Sequence, residues 1–273
     1  MHIVADIGGT KMRVAASRDL SVFGTPAILD TPRGYADGIR AFADAARALV
    51  AGEKVESVAI GIKGLLSADK KSVMTSPQNV LRDWKDKPLA YDIAAALSAA
   101  SVRLENDTAL VGLGEAVSGA GKGKGIVVYI TVSTGVNGVR IVDGVIDRGD
   151  AEIGGQYLQV GDALTSLEDL ISGVAIAEKY GVHPKEIDKD SPLWEELARI
   201  TAFGVHNAIL HWSPERIVLG GSMFNEIGIP VERVHAHVAE ILRKVPHVPE
   251  IVHSQLGDVG GLWGGVALLK GKN

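Results

Sequence analysis

The stretch His2-Ile3-Val4-Ala5-Asp6-Ile7-Gly8-Gly9-Thr10-Lys11 decides how the chain reads. Ile3 and Val4 begin a strand, Gly8-Gly9 allow a tight turn, and apolar alternation resumes at Met12, Val14 and Ala16: a β-hairpin with a glycine tip. The hairpin presents Asp6, Thr10 and Lys11 together. Without Cβ atoms, backbone N–H groups at the tip can approach an anion closely, while Thr10 and Lys11 add a hydroxyl and a cation. An acidic strand end such as Asp6 can hold a phosphate-bound Mg²⁺ through water. Taken alone, the stretch reads equally well as an ordinary hairpin with solvated charges, because short glycine motifs arise by chance.

A second stretch repeats the layout. Tyr129-Ile-Thr-Val-Ser-Thr-Gly-Val-Asn-Gly-Val-Arg-Ile141 has an apolar strand, a turn over Ser133–Gly138 and a returning strand from Val139 that carries an Arg. A strand-turn-strand unit opening each half predicts two similar domains that face a common cleft, each offering a turn to one polyphosphate. Between the hairpins the pattern is helix (Tyr35 to Val50), strand (Val55 to Ile62), helix (Leu89 to Ala100), strand (Val102 to Glu105), then Asn106, Asp107 and a helix from Thr108. Gly119-Ala-Gly-Lys-Gly-Lys-Gly125 reads as a linker. It follows a helix and precedes a strand, and it matches neither a Walker nor a Rossmann loop. Helices are expected at Leu167 to Tyr180, Leu193 to Trp212, Ile229 to Leu242 and Val259 to Leu269, with a strand at Ile251 to Ser254. The strand Glu215 to Gly221 ends in Gly220-Gly221, either a ligand-binding strand end suited to an adenosine or a simple strand-to-helix turn.

Composition narrows the function classes. The 273 residues are 46% hydrophobic, ample for buried cores. With 28 Lys+Arg against 33 Asp+Glu, the net charge of -5 gives no footprint for nucleic acid or an anionic membrane. The absence of Cys excludes disulfides, thiolate metal sites and a cysteine nucleophile. No run approaches the roughly 20 apolar residues of a membrane span and no cationic leader is visible, so the expected location is cytoplasmic.

Asp6-Ile-Gly-Gly-Thr-Lys11, Glu105-Asn-Asp107, Ser133-Thr-Gly135, Glu152-Ile-Gly154 and Val218-Leu-Gly-Gly221 occur in an order and spacing that resembles the ROK family of bacterial sugar kinases. The resemblance implies the actin-like (ribonuclease H-like) ATPase fold with two α/β domains, and a final helix that returns to the first domain. The domains are then 1–118 with 257–273, and 119–256. It implies transfer of the ATP γ-phosphoryl to a sugar hydroxyl, usually O6 of a hexose such as glucose, with Mg²⁺ accompanying the nucleotide. The phosphates fall to Asp6, Gly8, Gly9, Thr10 and Lys11 in the first turn, to Ser133, Thr134 and Gly135 in the second, and adenosine to Gly220 and Gly221. Asp107 matches the family's general base, on a strand-to-helix turn where the bland reading is a helix cap at Asn106 or Asp107. Gly64, Asn79, Asn106, Glu152 and Glu168 match the sugar-binding positions. Dimers are common in the family, whose DNA-binding repressors carry an additional N-terminal helix-turn-helix.

The chain also departs from the family. Gly155-Gln156 stands where most members have a sugar-contacting His, so Gln156 is expected to replace that hydrogen bond. Gly161-Asp-Ala-Leu-Thr-Ser-Leu167 replaces the Cys-rich zinc loop, so no zinc is expected, and His206, His211, His235 and His237 lack ligand spacing. Asn137 and Val139 replace glycines, which predicts altered geometry in the second turn. Lys63 occupies a position usually small or Pro. These departures leave open an N-acetylhexosamine, fructose or non-hexose acceptor, and a non-catalytic sugar or nucleotide sensor.

Overall fold

The structure is a computed structural model that describes residues 1–75, 81–147, 151–225 and 228–271. The chain divides into two compact units, 1–117 with 258–273, and 118–257.

The first unit is built on β1 (His2–Ile7), β2 (Lys11–Ser17), β3 (Ala27–Asp30), β4 (Ser57–Ile62) and β7 (Ser101–Asn106), in the order β3-β2-β1-β4-β7. The hairpin side is antiparallel, while β1, β4 and β7 run parallel. α1 (Tyr35–Val50) and α2 (Leu89–Leu97) cover one face; a short pair, β5 (Leu65–Leu66) and β6 (Val73–Thr75), lies between them in sequence. α3 (Asp107–Ser118) follows β7 directly. Strand β1 is apolar almost throughout because both its faces are covered. Ile3, Ala5 and Ile7 join Phe42, Ala46 and Ile93 in one core, while Val4, Ala15 and Ala59 pack against Leu262 and Val266 of the final helix α9 (Gly260–Lys270). Glycines let α9 lie close: a Cβ at Gly265 would stand 3.0 Å from the Val4 Cβ, and one at Gly264 only 1.7 Å from the Leu110 carbonyl oxygen.

The second unit repeats the plan. β8 (Ile126–Val132), β9 (Val136–Val142), β10 (Val145–Ile146), β13 (Arg216–Gly220) and β14 (Glu250–His253) form a sheet ordered β10-β9-β8-β13-β14, again antiparallel on the hairpin side and parallel beyond β8. Its core gathers Val128, Ile130, Ile217 and Leu219 with Trp194, Leu197 and Val205 of α6 (Leu193–Trp212) and Val234 and Val238 of α8 (Val231–Ile241). A second hairpin, β11 (Tyr157–Val160) and β12 (Ala163–Ser166), leads into α4 (Leu167–Ile171) and α5 (Gly173–Tyr180), and α7 (Ser222–Asn225) follows β13.

Two sequence expectations need correction. The turn expected over Ser133–Gly138 ends at Gly135: Asn137 and Gly138 lie in β9, paired with Thr131 and Ile130. Gly138 is there for close approach, since a Cβ would stand 2.6 Å from Ile153 Cδ1 and 2.9 Å from the Tyr129 carbonyl oxygen. The helix expected from Leu167 to Tyr180 breaks at Ser172, whose side chain caps α5 by accepting the Ala175 N–H. The stretch Gly161 to Leu167, which stands in place of the family's Cys-rich loop, contains β12, with Gly161 at φ +61° in the turn before it.

Candidate active site

The parallel register of the first sheet puts Asp6, Gly61 and Glu105 side by side, and then Ile7, Ile62 and Asn106. The residues that leave the sheet next are Gly8, Lys63 and Asp107, at one level of its carboxyl edge. The turn after β1 is closed by the Gly8 N–H to the Lys11 carbonyl at 3.0 Å. Thr31 braces it from the side, its hydroxyl donating to the Gly8 carbonyl at 2.8 Å and its N–H to that of Thr10 at 2.9 Å. Lys11 Nζ lies 2.5 Å from Asp30 Oδ1. Both side chains are exposed, and such pairs contribute at most about 1 kcal/mol, so Lys11 can exchange Asp30 for a phosphate at little cost.

Asp107 opens α3. Asn106 caps that helix, its Oδ1 accepting the Ala109 N–H at 3.1 Å, while its Nδ2 donates to the Gly64 carbonyl at 3.2 Å. Asp107 Oδ1 accepts the Thr108 N–H at 2.8 Å. Burial raises the Asp107 carboxyl above the ordinary carboxylate range, opposed by the Thr108 N–H and the charge of Lys63. A raised carboxylate is a stronger base while it remains ionised. Asp6 is pushed up to about 7, first by burial and then by Asp107, with Arg13 opposing and Asp258 adding. Part of that burial comes from α9, since a Cβ at Gly261 would stand 3.3 Å from the Asp6 Cβ. Arg13 Nη2 in turn pairs with Asp258 Oδ2 at 2.5 Å. At Asp6, burial and the carboxylates of Asp107 and Asp258 outweigh the charge of Arg13, an environment that a divalent cation bound with phosphate would relieve. Among the described residues no group of three or more His, Asp and Glu converges as a metal site.

In the second unit the turn Ser133–Gly135 is closed by the Ser133 N–H to the Gly135 carbonyl at 2.9 Å and held by the Gly173 N–H to the Ser133 carbonyl at 2.7 Å. Thr134 is exposed at its tip. Glu168 of α4 reaches this turn, and its Oε2 accepts the Val136 N–H at 2.7 Å. Glu152 precedes a short 3-10 turn, Ile153–Gly155, that packs on β9: a Cβ at Gly154 would stand 2.2 Å from the Val136 carbonyl oxygen. Gln156 is engaged on both amide atoms, Nε2 donating to the Ile153 carbonyl at 2.9 Å and Oε1 accepting from Asn207 Nδ2 at 2.7 Å. Gly220 ends β13 beside β8, and Gly221 follows it. A Cβ would stand 2.6 Å from the Tyr129 hydroxyl at Gly220 and 2.3 Å from the Val132 carbonyl at Gly221, where φ is +93°. Of the histidines, His237 pairs with Glu195 at 2.9 Å and His206 contacts Asn207.

The structure thus gathers Asp6, Gly8, Gly9, Thr10, Lys11, Gly64, Asn106 and Asp107 in the first unit. It gathers Ser133, Thr134, Gly135, Glu168 and the Glu152–Gly154 segment in the second. Asn79 lies outside the described residues. Thr31, Asp258 and Asn207 were not singled out from sequence. The Arg13–Asp258 pair spans 245 positions, and no local pattern signals it.

The chain matches the sequence model of the ROK family over residues 2–272. It is 30% identical to a glucokinase of Streptomyces coelicolor over 58% of this chain and 48% of that one, so it spans about half the length of such curated relatives. It is 28% identical to an N-acetyl-D-glucosamine kinase of Escherichia fergusonii, over 98% of this chain and 99% of the relative. Its fold is that of a ROK family glucokinase from Streptomyces griseus solved with glucose and AMPPNP, with a TM-score of 0.78 at 24% identity over 98% of both chains.

Proposed function

We propose that this chain, which belongs to the ROK family, is a sugar kinase that transfers the γ-phosphoryl of Mg-ATP to a hydroxyl, O6, of a hexose such as glucose. The observation that carries the reading is the carboxylate of Asp107. It is fixed at the start of α3 by its own helix N-terminus and by the Asn106 cap, and raised by burial, at the edge where the β1–β2 turn offers its glycines and Lys11. Asp107 Oδ1 is engaged by the Thr108 N–H, which orients the other oxygen to take the acceptor hydroxyl proton as that oxygen attacks phosphorus in line. Gly8, Gly9, Thr10 and Lys11 bind and orient the donor phosphates, with Ser133, Thr134 and Gly135 doing so in the second unit and Gly220 and Gly221 beside the adenosine. Magnesium, when bound with the nucleotide, would neutralise developing phosphate charge, and Asp6 would hold it through water. Gly64, Asn79, Asn106, Glu152 and Glu168 orient the sugar. Glu168 has one oxygen on the Val136 N–H and the other for a hydroxyl.

An N-acetylhexosamine is the second acceptor reading, favoured by the alignment to an N-acetyl-D-glucosamine kinase over nearly the full length of both chains. Gln156, with both amide atoms engaged by Ile153 and Asn207, then ties the 3-10 turn to α6 rather than replacing the family histidine on the sugar. The test is ADP release with Mg-ATP across glucose, N-acetylhexosamines, fructose and non-hexose polyols, with Asp107→Asn in parallel. Turnover with one sugar, lost in the variant, supports the reading and names the acceptor. ATP binding without turnover on any acceptor would replace it with a sensor.

A further inference from the structure

We propose that Lys63 is a catalytic residue of the phosphoryl transfer, its ammonium contacting the phosphoryl group as it passes from nucleotide to acceptor; the proposal rests on the sugar-kinase reading above. β4 lies between β1 and β7, and the register sets Ile7, Ile62 and Asn106 abreast. Lys63 therefore leaves the sheet between Gly8, where the glycine turn opens, and Asp107. Its backbone is fixed on both sides. The Lys63 N–H donates to the Ile7 carbonyl at 3.3 Å, and the next carbonyl, that of Gly64, accepts from Asn106 Nδ2 at 3.2 Å. One flank would hold the donor phosphates and the other the base for the acceptor hydroxyl. The group in transit must occupy the space between them.

The strand that delivers Lys63 lies against the start of α3: a Cβ at Gly61, two residues earlier, would stand 3.1 Å from Leu110 and 3.6 Å from the Asp107 Cα. The charge of Lys63 is felt by Asp107, whose carboxyl it lowers against the effect of burial. Of the neighbouring cations, Arg13 pairs with Asp258 and Lys70 with Glu105 at 2.5 Å, while Lys11, in its exposed pair with Asp30, serves the donor phosphates. Lys63 is half-buried and makes no ion pair among the described residues. A half-buried ammonium that forms no ion pair among the described residues, with only the through-space pull of Asp107, is placed to meet an incoming anion.

In the transfer, a lone pair of the acceptor oxygen forms the new bond to phosphorus. The bond from phosphorus to the β,γ-bridging oxygen breaks, its electron pair leaving on ADP, and the acceptor proton passes to Asp107. Lys63 keeps its proton and neutralises charge on the non-bridging oxygens. The test compares wild type, Lys63→Gln and Lys63→Arg with the best sugar of the panel. In Lys63→Gln, kcat is expected to fall about 100-fold or more, as when one preorganised donor is lost. The KM values for sugar and ATP stay within about threefold, the signature of an interaction made only in the transition state. Binding of ADP with tetrafluoroaluminate and sugar weakens by a similar factor while AMPPNP affinity holds, and Lys63→Arg recovers about tenfold or more of the lost kcat. An unchanged kcat in Lys63→Gln overturns the proposal, as does a loss confined to the KM of an anionic acceptor. A wild type that phosphorylates no sugar breaks the underlying reading as well, whereas an active wild type with an indifferent Lys63→Gln breaks this proposal alone.

Discussion

The two hairpin turns share a topology and differ in what charges them. In the first, the Ile7–Met12 pair encloses Gly8, Gly9, Thr10 and Lys11; in the second, the Val132–Val136 pair encloses only Ser133, Thr134 and Gly135. The longer turn carries a cation in an exposed pair and stands beside two carboxylates raised by burial. The shorter one carries no cation, and the N–H that follows it already donates to Glu168. A repeated strand-turn-strand unit therefore presents a backbone turn twice. The first copy stands among charged side chains, and the second is braced by a helix carboxylate. Each copy has an acidic residue at a neighbouring helix start, Asp107 in α3 and Glu168 in α4, and these provide the sharpest contrast.

The largest expected effect is on kcat. Asp107→Asn keeps the shape and removes the proton acceptor, so kcat with the preferred sugar should fall by about two to four orders of magnitude with little change in KM. Glu168→Gln should act mainly on the KM of the sugar. Steady-state kinetics of both variants read this directly. Equal losses in kcat would break the division of labour between the copies.

Next in size is a packing effect in the second copy. Gly154→Ala would put a methyl 2.2 Å from the Val136 carbonyl oxygen, a backbone atom that cannot swing aside. Overpacking of this kind costs about 2–3 kcal/mol, to be read by urea unfolding. Gly135→Ala would meet the Glu168 carboxylate at 2.6 Å, the end of a side chain that can move, and should cost well under half as much. Similar losses at both positions would show that the turn, and not the 3-10 segment beneath it, limits the second copy.

These two glycines also show what the sequence could convey. The hairpins were legible because their signals are local: a glycine tip between apolar strands, with Asp6 and Lys11 a few residues apart. Asp107 was legible for the same reason, at a strand-to-helix junction. The end of the second turn was misplaced at Gly138 because that glycine answers to Ile153 and Tyr129, contacts made by the fold. The break at Ser172 was hidden by an unbroken helical period. It depends on the Gly173 N–H bonding to the Ser133 carbonyl, 40 positions away in the chain. The β11–β12 hairpin gave no signal because Tyr157, Val160 and Leu164 are exposed, so apolar alternation does not mark a buried face.

A smaller effect sits on the first copy and depends on pH. The folded chain holds the Asp6 proton up to about pH 7, whereas the unfolded chain releases it near 3.8. Across that window the folded state binds more protons, so this group's contribution is full at low pH and is lost as pH rises through the folded value. Asp6→Asn removes the dependence. Without nucleotide it should match wild type near pH 4 and exceed it by on the order of 2 kcal/mol at pH 8, even though activity is lost. Thermal unfolding across that range decides it, and a variant that retains the wild-type slope would place the charge strain elsewhere.

The smallest effect tests whether the bracing of the second turn is structural at all. Glu168 is exposed, but Val136 is buried, and its N–H has Glu168 Oε2 as acceptor. Glu168→Ala leaves that donor to water at the edge of the turn, at a cost of about 1 kcal/mol, and Glu168→Gln, which keeps an acceptor oxygen, should restore most of it. Sugar affinity should not follow the same order. A hydroxyl that donates to the free carboxylate oxygen loses a charge-assisted bond in Glu168→Gln and loses the bond outright in Glu168→Ala. If Gln restores stability without restoring sugar affinity, the two oxygens of Glu168 have separate tasks, one holding the turn and one reading the acceptor. If both properties return together, the brace and the sugar contact are a single interaction, and the second copy recognises sugar only through the shape of its turn.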